Sequence, residues 1–309
     1  MAAQKKPTPV YIGADPEYFV KHVKTGKVTP IIGIVGGTKD SPKQIEYLNS
    51  EYRNGSMHKG HFAYQEDGVA FEFNIPAAPR ADHASMFIHY TLRTCYEMLS
   101  GKGYRPYIVA EHEFEEAQLK DPKAHILGCS ADWNAYDHTL PRTPFDAKQF
   151  GRKRFCGGHI HVGYDKSKVP AHIMAQFMDA VLGVPSVFLD KQGDRRKYYG
   201  LAGLYREKPY GIEYRTLSNF WLRGARDNKR ETYKSVIAAA HDLATLAHTR
   251  PDVLIAAYGR VPWSDVRKCI ENEDKELATS LLDYLANSTQ LPYRNAYMLT
   301  VTTSAEATE

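Results

Sequence analysis

Four short segments of this chain place polar residues two apart. Asp15 and Glu17 lie in GADPEYF, Glu72 and Asn74 in AFEFN, His159 and His161 in GGHIHVG, and Glu213 and Arg215 in GIEYRTL. Side chains alternate across a strand, so each pair shares one face. The opposite face takes Phe71 and Phe73, Ile160 and Val162, or Ile212 and Tyr214. A strand exposed on one side alternates in this way with no function attached. The residue types argue for more. Carboxylates are hard ligands for Mg2+ or Mn2+, imidazole is an intermediate ligand, and a guanidinium suits phosphoryl oxygens. The set is therefore the inventory of a divalent-metal and phosphate site. Neighbouring glycines (Gly13, Gly157, Gly158, Gly163, Gly211) let a ligand or a second backbone come close.

The segment DRRKYYGLAGLYREKPYG adds Arg195, Arg196, Lys197 and Arg206 just before Glu213. A run of this kind is either a solvated basic loop or a clamp for polyphosphate. Cys156, His159 and His161 also admit a zinc reading, which the excess of carboxylates over thiols disfavours. No GxxxxGK[ST] loop and no GxSxG elbow occurs.

Periodicity and punctuation give the elements that carry these residues. A strand starts at Val10, and Pro16, unable to donate to a ladder, predicts an edge or a bulge there. Residues 21–60, rich in Gly and Pro, read as hairpins and loops. A second strand covers 69–76. Asp82 then caps a helix reaching about residue 100, with Phe87, Ile88, Thr91, Leu92, Cys95 and Leu99 near one face. Residues 103–111 and 154–164 read as strands, and 118–150 as irregular. A helix covers 170–190, a connection 191–211 and a strand 211–221. Two helices end the chain, over 229–249 and from 263 through 286. The reading is a single α+β domain over 1–309, with flexible tails at 1–9 and 303–309, chemistry on the strands and helices on the other face.

Composition sets the outer limits. With 43% apolar and 25% charged residues, the 309-residue chain is globular rather than disordered. Forty Lys and Arg against 36 Asp and Glu leave a formal charge of +4, too little for nucleic acid to be the main partner. The four cysteines, Cys95, Cys129, Cys156 and Cys269, form no CxxC pair and suggest no disulfide framework. No apolar run reaches membrane-spanning length and the start lacks a signal-peptide core, so a cytoplasmic protein is expected.

In this order, GADPEYF, VAFEFNIP, GGHIHVGY and YGLAGLYREKPYGIEYRTLSNFW resemble the carboxylate–amine ligases of the glutamine synthetase and glutamate–cysteine ligase superfamily. The resemblance is strongest to the phage-encoded amidoligases, COOH–NH2 ligase type 2, and covers about residues 10–225 in blocks. It implies a curved, mainly antiparallel sheet forming an active-site funnel, with helices packed on its outer face. It also implies ATP and two or more Mg2+ or Mn2+ ions, a small-molecule or peptide carboxylate, and an amine. The host cytoplasm and a homo-oligomer are compatible with it. Carried onto this sequence, the metal ligands are Glu17, Glu72, Glu213 and His159. Arg215 lies over the transferring phosphate, and His159, His161, Arg196 and Arg206 contact the nucleotide. Asp15, Glu213 and Arg215 form the catalytic set, with Asp15 as the candidate base. A metal-dependent hydrolase on the same residues, and a non-catalytic phage component that kept the fold, are the alternatives.

Overall fold

The computed structural model describes residues 10–52, 60–126, 133–138, 150–227 and 231–292. Cys129 and both tails lie outside these residues. The strands, in chain order, are β1 (Tyr11–His22), β2 (Val28–Thr29), β3 (Lys43–Gln44), β4 (Ala63–Asp67), β5 (Ala70–Asn74), β6 (Tyr104–Tyr107), β7 (Glu111–Glu113), β8 (Trp133–Asn134), β9 (Lys153–Phe155), β10 (Gly158–Gly163), β11 (Leu204–Lys208) and β12 (Gly211–Tyr214). The helices are α1 (Glu46–Tyr52), α2 (Ala81–Gly101), α3 (Ala171–Met178), α4 (Val184–Ser186), α5 (Arg195–Tyr198), α6 (Thr232–Thr249), α7 (Pro251–Tyr258), α8 (Trp263–Asn272) and α9 (Lys275–Ser288).

The fold is α+β with an antiparallel main sheet ordered β3-β4-β5-β1-β10-β12-β11-β8, with β2 and β6 also paired to β1. β7 and β9 form a separate two-stranded ladder. One face of the main sheet is apolar. Ile12, Ile160, Val162 and Ile212 are fully buried there, each contributing about 1.5–3 kcal/mol relative to exposure. Helices α2, α3 and α6 pack against β1, β10, β11 and β12. The six residues expected on the inner face of α2 are all buried.

β1 is the strand on which the sheet turns. Its first half, Tyr11–Pro16, pairs with β10, while Glu17 and Tyr18 pair with β5 and Phe19–His22 with β6. Pro16 is therefore interior, contrary to the edge expected. The Glu17 N–H donates to Gly157 O on the β10 side at 2.9 Å. Successive amides point to opposite edges, so the donor that Pro16 lacks falls on the β5 side.

Several other boundaries differ from expectation. Asp82 is not the N-cap of α2; it sits in the first turn, pairs with Arg80 and accepts the His83 N–H at 2.9 Å. The strand over 154–164 breaks at Cys156–Gly157 into β9 and β10. The helix over 170–190 runs through a π turn at Asp179–Gly183. The connection 191–211 contains α5 and strand β11. Helices α1 and α7 were not foreseen. α8 and α9 are separate because Glu273 adopts φ +52° and Asp274 caps the next helix by accepting the Leu277 N–H at 2.9 Å.

Candidate active site

Register brings the separated pairs together. Asp15 pairs with His159 across β1 and β10, and His161 with Glu213 across β10 and β12. Arg206 pairs with Glu213 across β11 and β12, and Glu17 with Glu72 across β1 and β5. These residues lie on the sheet face opposite Ile12, Ile160 and Ile212. That face is not a solvated surface: Glu17 is 5% exposed, His159 3%, Glu213 1% and Arg215 2%.

Two ligand-bearing groups result. In the first, Asp15, His159 and Glu213 each offer an atom within 4.8 Å of the others. In the second, Glu17, Asp67 and Glu72 do the same. Asp67 ends β4 and was not among the residues expected at the site.

The two groups differ in charge balance. Around Glu213 stand Arg215, Arg206 and Lys208, with Arg206 Nη1 3.1 Å and Lys208 Nζ 2.8 Å from Oε2. Burial alone would raise the Glu213 pKa, but Arg215 leads a set of positive neighbours that hold it well below the glutamate range. The second group has the opposite balance. Burial, then Asp67, pushes Glu17 up to about 7. Burial followed by Asp15, Asp67 and Glu17 puts Glu72 well above its ordinary value. Asp67 is also raised, mainly by burial. Gln65 Nε2 donates to Glu72 at 3.0 Å, and the Gly157 N–H to Glu17 at 2.8 Å. Carboxylates that oppose one another's ionisation in this way suit a bound divalent cation with oxygen ligands.

The histidines behave differently from each other. Burial, reinforced by Arg215, holds His159 well below the usual imidazole value. Its Nδ1 accepts from Arg215 Nη1 at 3.2 Å, so the neutral ring carries its proton on Nε2, 3.3 Å from the Tyr199 hydroxyl. For His161, burial opposes charge, but Asp15, 2.9 Å from Nε2, outweighs it and the pKa rises. His161 Nδ1 shares a hydrogen bond with the Tyr210 hydroxyl.

The structure does not bring Arg196 to this group. Its Nη1 donates to Gly200 O at 3.2 Å and its Nε lies 3.8 Å from Glu273. The neighbouring Arg195 has a different task. Its buried guanidinium donates to Thr216 O at 3.0 Å, Leu217 O at 2.9 Å and Arg215 O at 3.2 Å, fixing the backbone that carries Arg215. Cys156 packs in an apolar cluster with Phe19 and Phe114 and, among the described residues, is in neither ligand group.

Asp67, Lys208 and Tyr199 adjoin these residues and were missed, while Arg195, expected either in a solvated loop or in a phosphate clamp, binds backbone carbonyls instead. The basic run signalled charge but not which of its members turn inward, and Tyr199 was one of 21 tyrosines.

Glycine allows the close packing behind the histidines. A Cβ on Gly158 would sit 2.1 Å from Ser218 O, and one on Gly157 would sit 2.1 Å from His159 Nε2. Two cavities flank the polar face. A cleft of about 400 Å³ opens beside Asp15, His161, Asn74, Tyr11 and Tyr210. A pocket of about 40 Å³ lies against Glu17, Asp67 and Tyr199, with Phe150 and Phe155 in its wall. Among the described residues, no helix is long and apolar enough to cross a membrane.

The family model described as phage phiEco32-like COOH.NH2 ligase-type 2 matches residues 148–302. The match contains the β10, β11 and β12 site residues, while the acids of β1, β4 and β5 precede it. No curated protein matches. Among solved structures, GmaS determined without ligand is 12% identical with a TM-score of 0.43, over 98% of this chain and 70% of its own. A glutamine synthase homologue is 12% identical with a TM-score of 0.33, over 96% of this chain and 71% of its own. A bifunctional glutathione synthetase from Pasteurella multocida is 10% identical with a TM-score of 0.36, over 96% of this chain and 52% of its own. The family model spans half of the sequence, and the chain belongs to the phage-type COOH–NH2 ligase type 2 family of carboxylate–amine ligases.

Proposed function

We propose that the protein joins a carboxylate to an amine at the expense of ATP, through an acyl phosphate, with residues 1–309 acting as one catalytic domain. The observation that carries this reading is the polarity of the sheet face. A carboxylate group of one buried and two half-buried acids (Glu17, Asp67, Glu72) adjoins a group of cations (Arg206, Lys208, Arg215) gathered on Glu213. Acids whose burial and mutual repulsion outweigh the nearby Arg215 and Arg195 suit divalent cations, and clustered cations suit polyphosphate.

At neutral pH a carboxylate is a poor electrophile. Its oxygen attacks the γ-phosphorus, ADP leaves, and the resulting acyl phosphate is open to an amine, which expels inorganic phosphate. Arg215 would steady the transferring phosphoryl group and Arg206 the adjoining phosphate oxygens. His159 and His161 would border the nucleotide, which the cleft beside His161 and Tyr210 would admit. Asp15, between the two histidines, would take the proton of the attacking ammonium. Mg2+ or Mn2+ would be held by Glu17, Asp67 and Glu72, with Glu213 and His159 as further ligands. When bound, such ions neutralise phosphate charge.

The substrates are a small-molecule or peptide carboxylate and an amine. The test is mass spectrometry of phage or host extract incubated with protein and ATP. A product heavier than its parent by the amine less water, formed with stoichiometric ADP, supports the reading. Turnover without ATP would support a hydrolase instead, and no turnover or nucleotide binding would support a non-catalytic role.

A further inference from the structure

Tyr199 reaches Glu17, His159 and Arg215, yet stands on the segment after α5 and on none of the strands. Its hydroxyl donates to Glu17 Oε1 at 3.2 Å and accepts from Arg215 Nη2 at 2.9 Å. His159 Nε2 lies 3.3 Å away. One neutral oxygen thus stands between an arginine and the carboxylate of the acidic group.

The segment that holds it is tied down at both ends. The amides of Asp194 and Arg195 donate to Glu111 Oε2 at 2.8 and 3.2 Å. The Tyr199 N–H donates to Arg195 O at 2.8 Å, and the Arg195 guanidinium lies 4.9 Å from the Tyr199 ring centroid. The phenol is therefore placed by contacts outside the site, and Arg215 and Glu17 adapt to it.

We infer that Tyr199 is a positioning residue whose hydroxyl separates Arg215 from Glu17 and so keeps Glu17 available to a divalent cation. The inference rests on the cation reading proposed above. Opposite charges in a buried setting pair directly when nothing intervenes, and breaking such a pair is costly. Removing the phenolic oxygen deletes the acceptor for Arg215 and the donor to Glu17 together. The guanidinium then closes onto the carboxylate and competes with the metal.

The test is Mn2+ titration followed by electron paramagnetic resonance of free Mn2+, with circular dichroism melts on the same samples. Tyr199→Phe is expected to weaken Mn2+ binding about tenfold, because the metal must displace a buried ion pair. Arg215→Met is expected to bind Mn2+ at least as tightly as the wild type. The double variant should match Arg215→Met within about twofold, since the competing cation is gone and the two sites couple. Unchanged affinity in Tyr199→Phe, or a loss that persists in the double variant, overturns the inference. So does weaker binding in Arg215→Met, a test that remains should Tyr199→Phe fail to fold. A wild type that binds no Mn2+ overturns the cation reading itself, a distinct outcome.

Discussion

Glu17 and Glu72 stand directly opposite each other on β1 and β5, and their carboxylates lie within 4.8 Å of one another and of that of Asp67. Like charges in register across a ladder are destabilising. This relationship makes the metal-free protein sensitive to pH. Folding raises Glu17 to about 7 from an ordinary 4.5, first by burial and then by Asp67. A carboxyl raised by folding adds stability below its unfolded pKa and loses it as pH rises through the folded value. Thermal melts without metal should therefore fall from about pH 4.5 to pH 7, with Glu17 alone accounting for a loss on the order of 3 kcal/mol. Glu72→Gln should flatten that decline. A melting temperature rising across this window in metal-free buffer would contradict the arrangement.

Mg2+ and ATP should stabilise the protein more together than the sum of their separate effects. A ligand at a hundredfold above its Kd adds about 2.7 kcal/mol to folding stability. Bridging by the metals would couple the two increments, and differential scanning fluorimetry with each alone and both together measures the coupling. Purely additive shifts would count against metals that bridge the nucleotide.

Glu72→Gln and Arg215→Ala are each expected to abolish ADP release while leaving a cooperative melt. Glu72 has the other carboxylates for company, and Glu213 keeps Arg206 and Lys208 when Arg215 is removed. Coupled-enzyme detection of ADP on variants of verified circular dichroism decides the matter, and normal turnover in both removes this site assignment.

Arg195→Met should be destabilising by about 3–5 kcal/mol, since three backbone carbonyls and Gln192 lose a buried charged donor. Urea titration reads this directly. A loss under about 1 kcal/mol would show that the guanidinium does not hold the Arg215 backbone.

Gly157→Ala tests the placement of His159. The new methyl would overlap the imidazole at Nε2, so the ring must turn away from Tyr199. The expected cost is about 1–3 kcal/mol, with a shifted His159 signal in heteronuclear NMR of the ring. Unmoved imidazole resonances would show that the site accommodates the methyl elsewhere.

The strand faces were legible because alternation is local: a polar pair two apart fixes its own side of the sheet whatever its neighbours are. Asp15, Glu17, His159, His161, Glu213 and Arg215 were found in this way. What pairs with what is not local. Pro16 suggested an edge or a bulge, but β1 is interior, with β5 on one side and β10 on the other. Arg195, Arg196 and Arg206 are equivalent as sequence and different as structure: one ties backbone, one turns toward Glu273, one reaches Glu213. Asp67 and Tyr199 carried no local signal, since each enters the site only through the tertiary path of its segment.

The partner change along β1 also orders the assembly of the protein in time. Its C-terminal half finds β5 and β6 within the first third of the chain, so Glu17 and Glu72 can meet early in synthesis. Its N-terminal half must wait for β10, and the guanidinium donors of β11 and β12 emerge later still. Until β10 is made, the edge of β1 that it covers has no partner strand, and such an edge is where a chain is open to pairing with another.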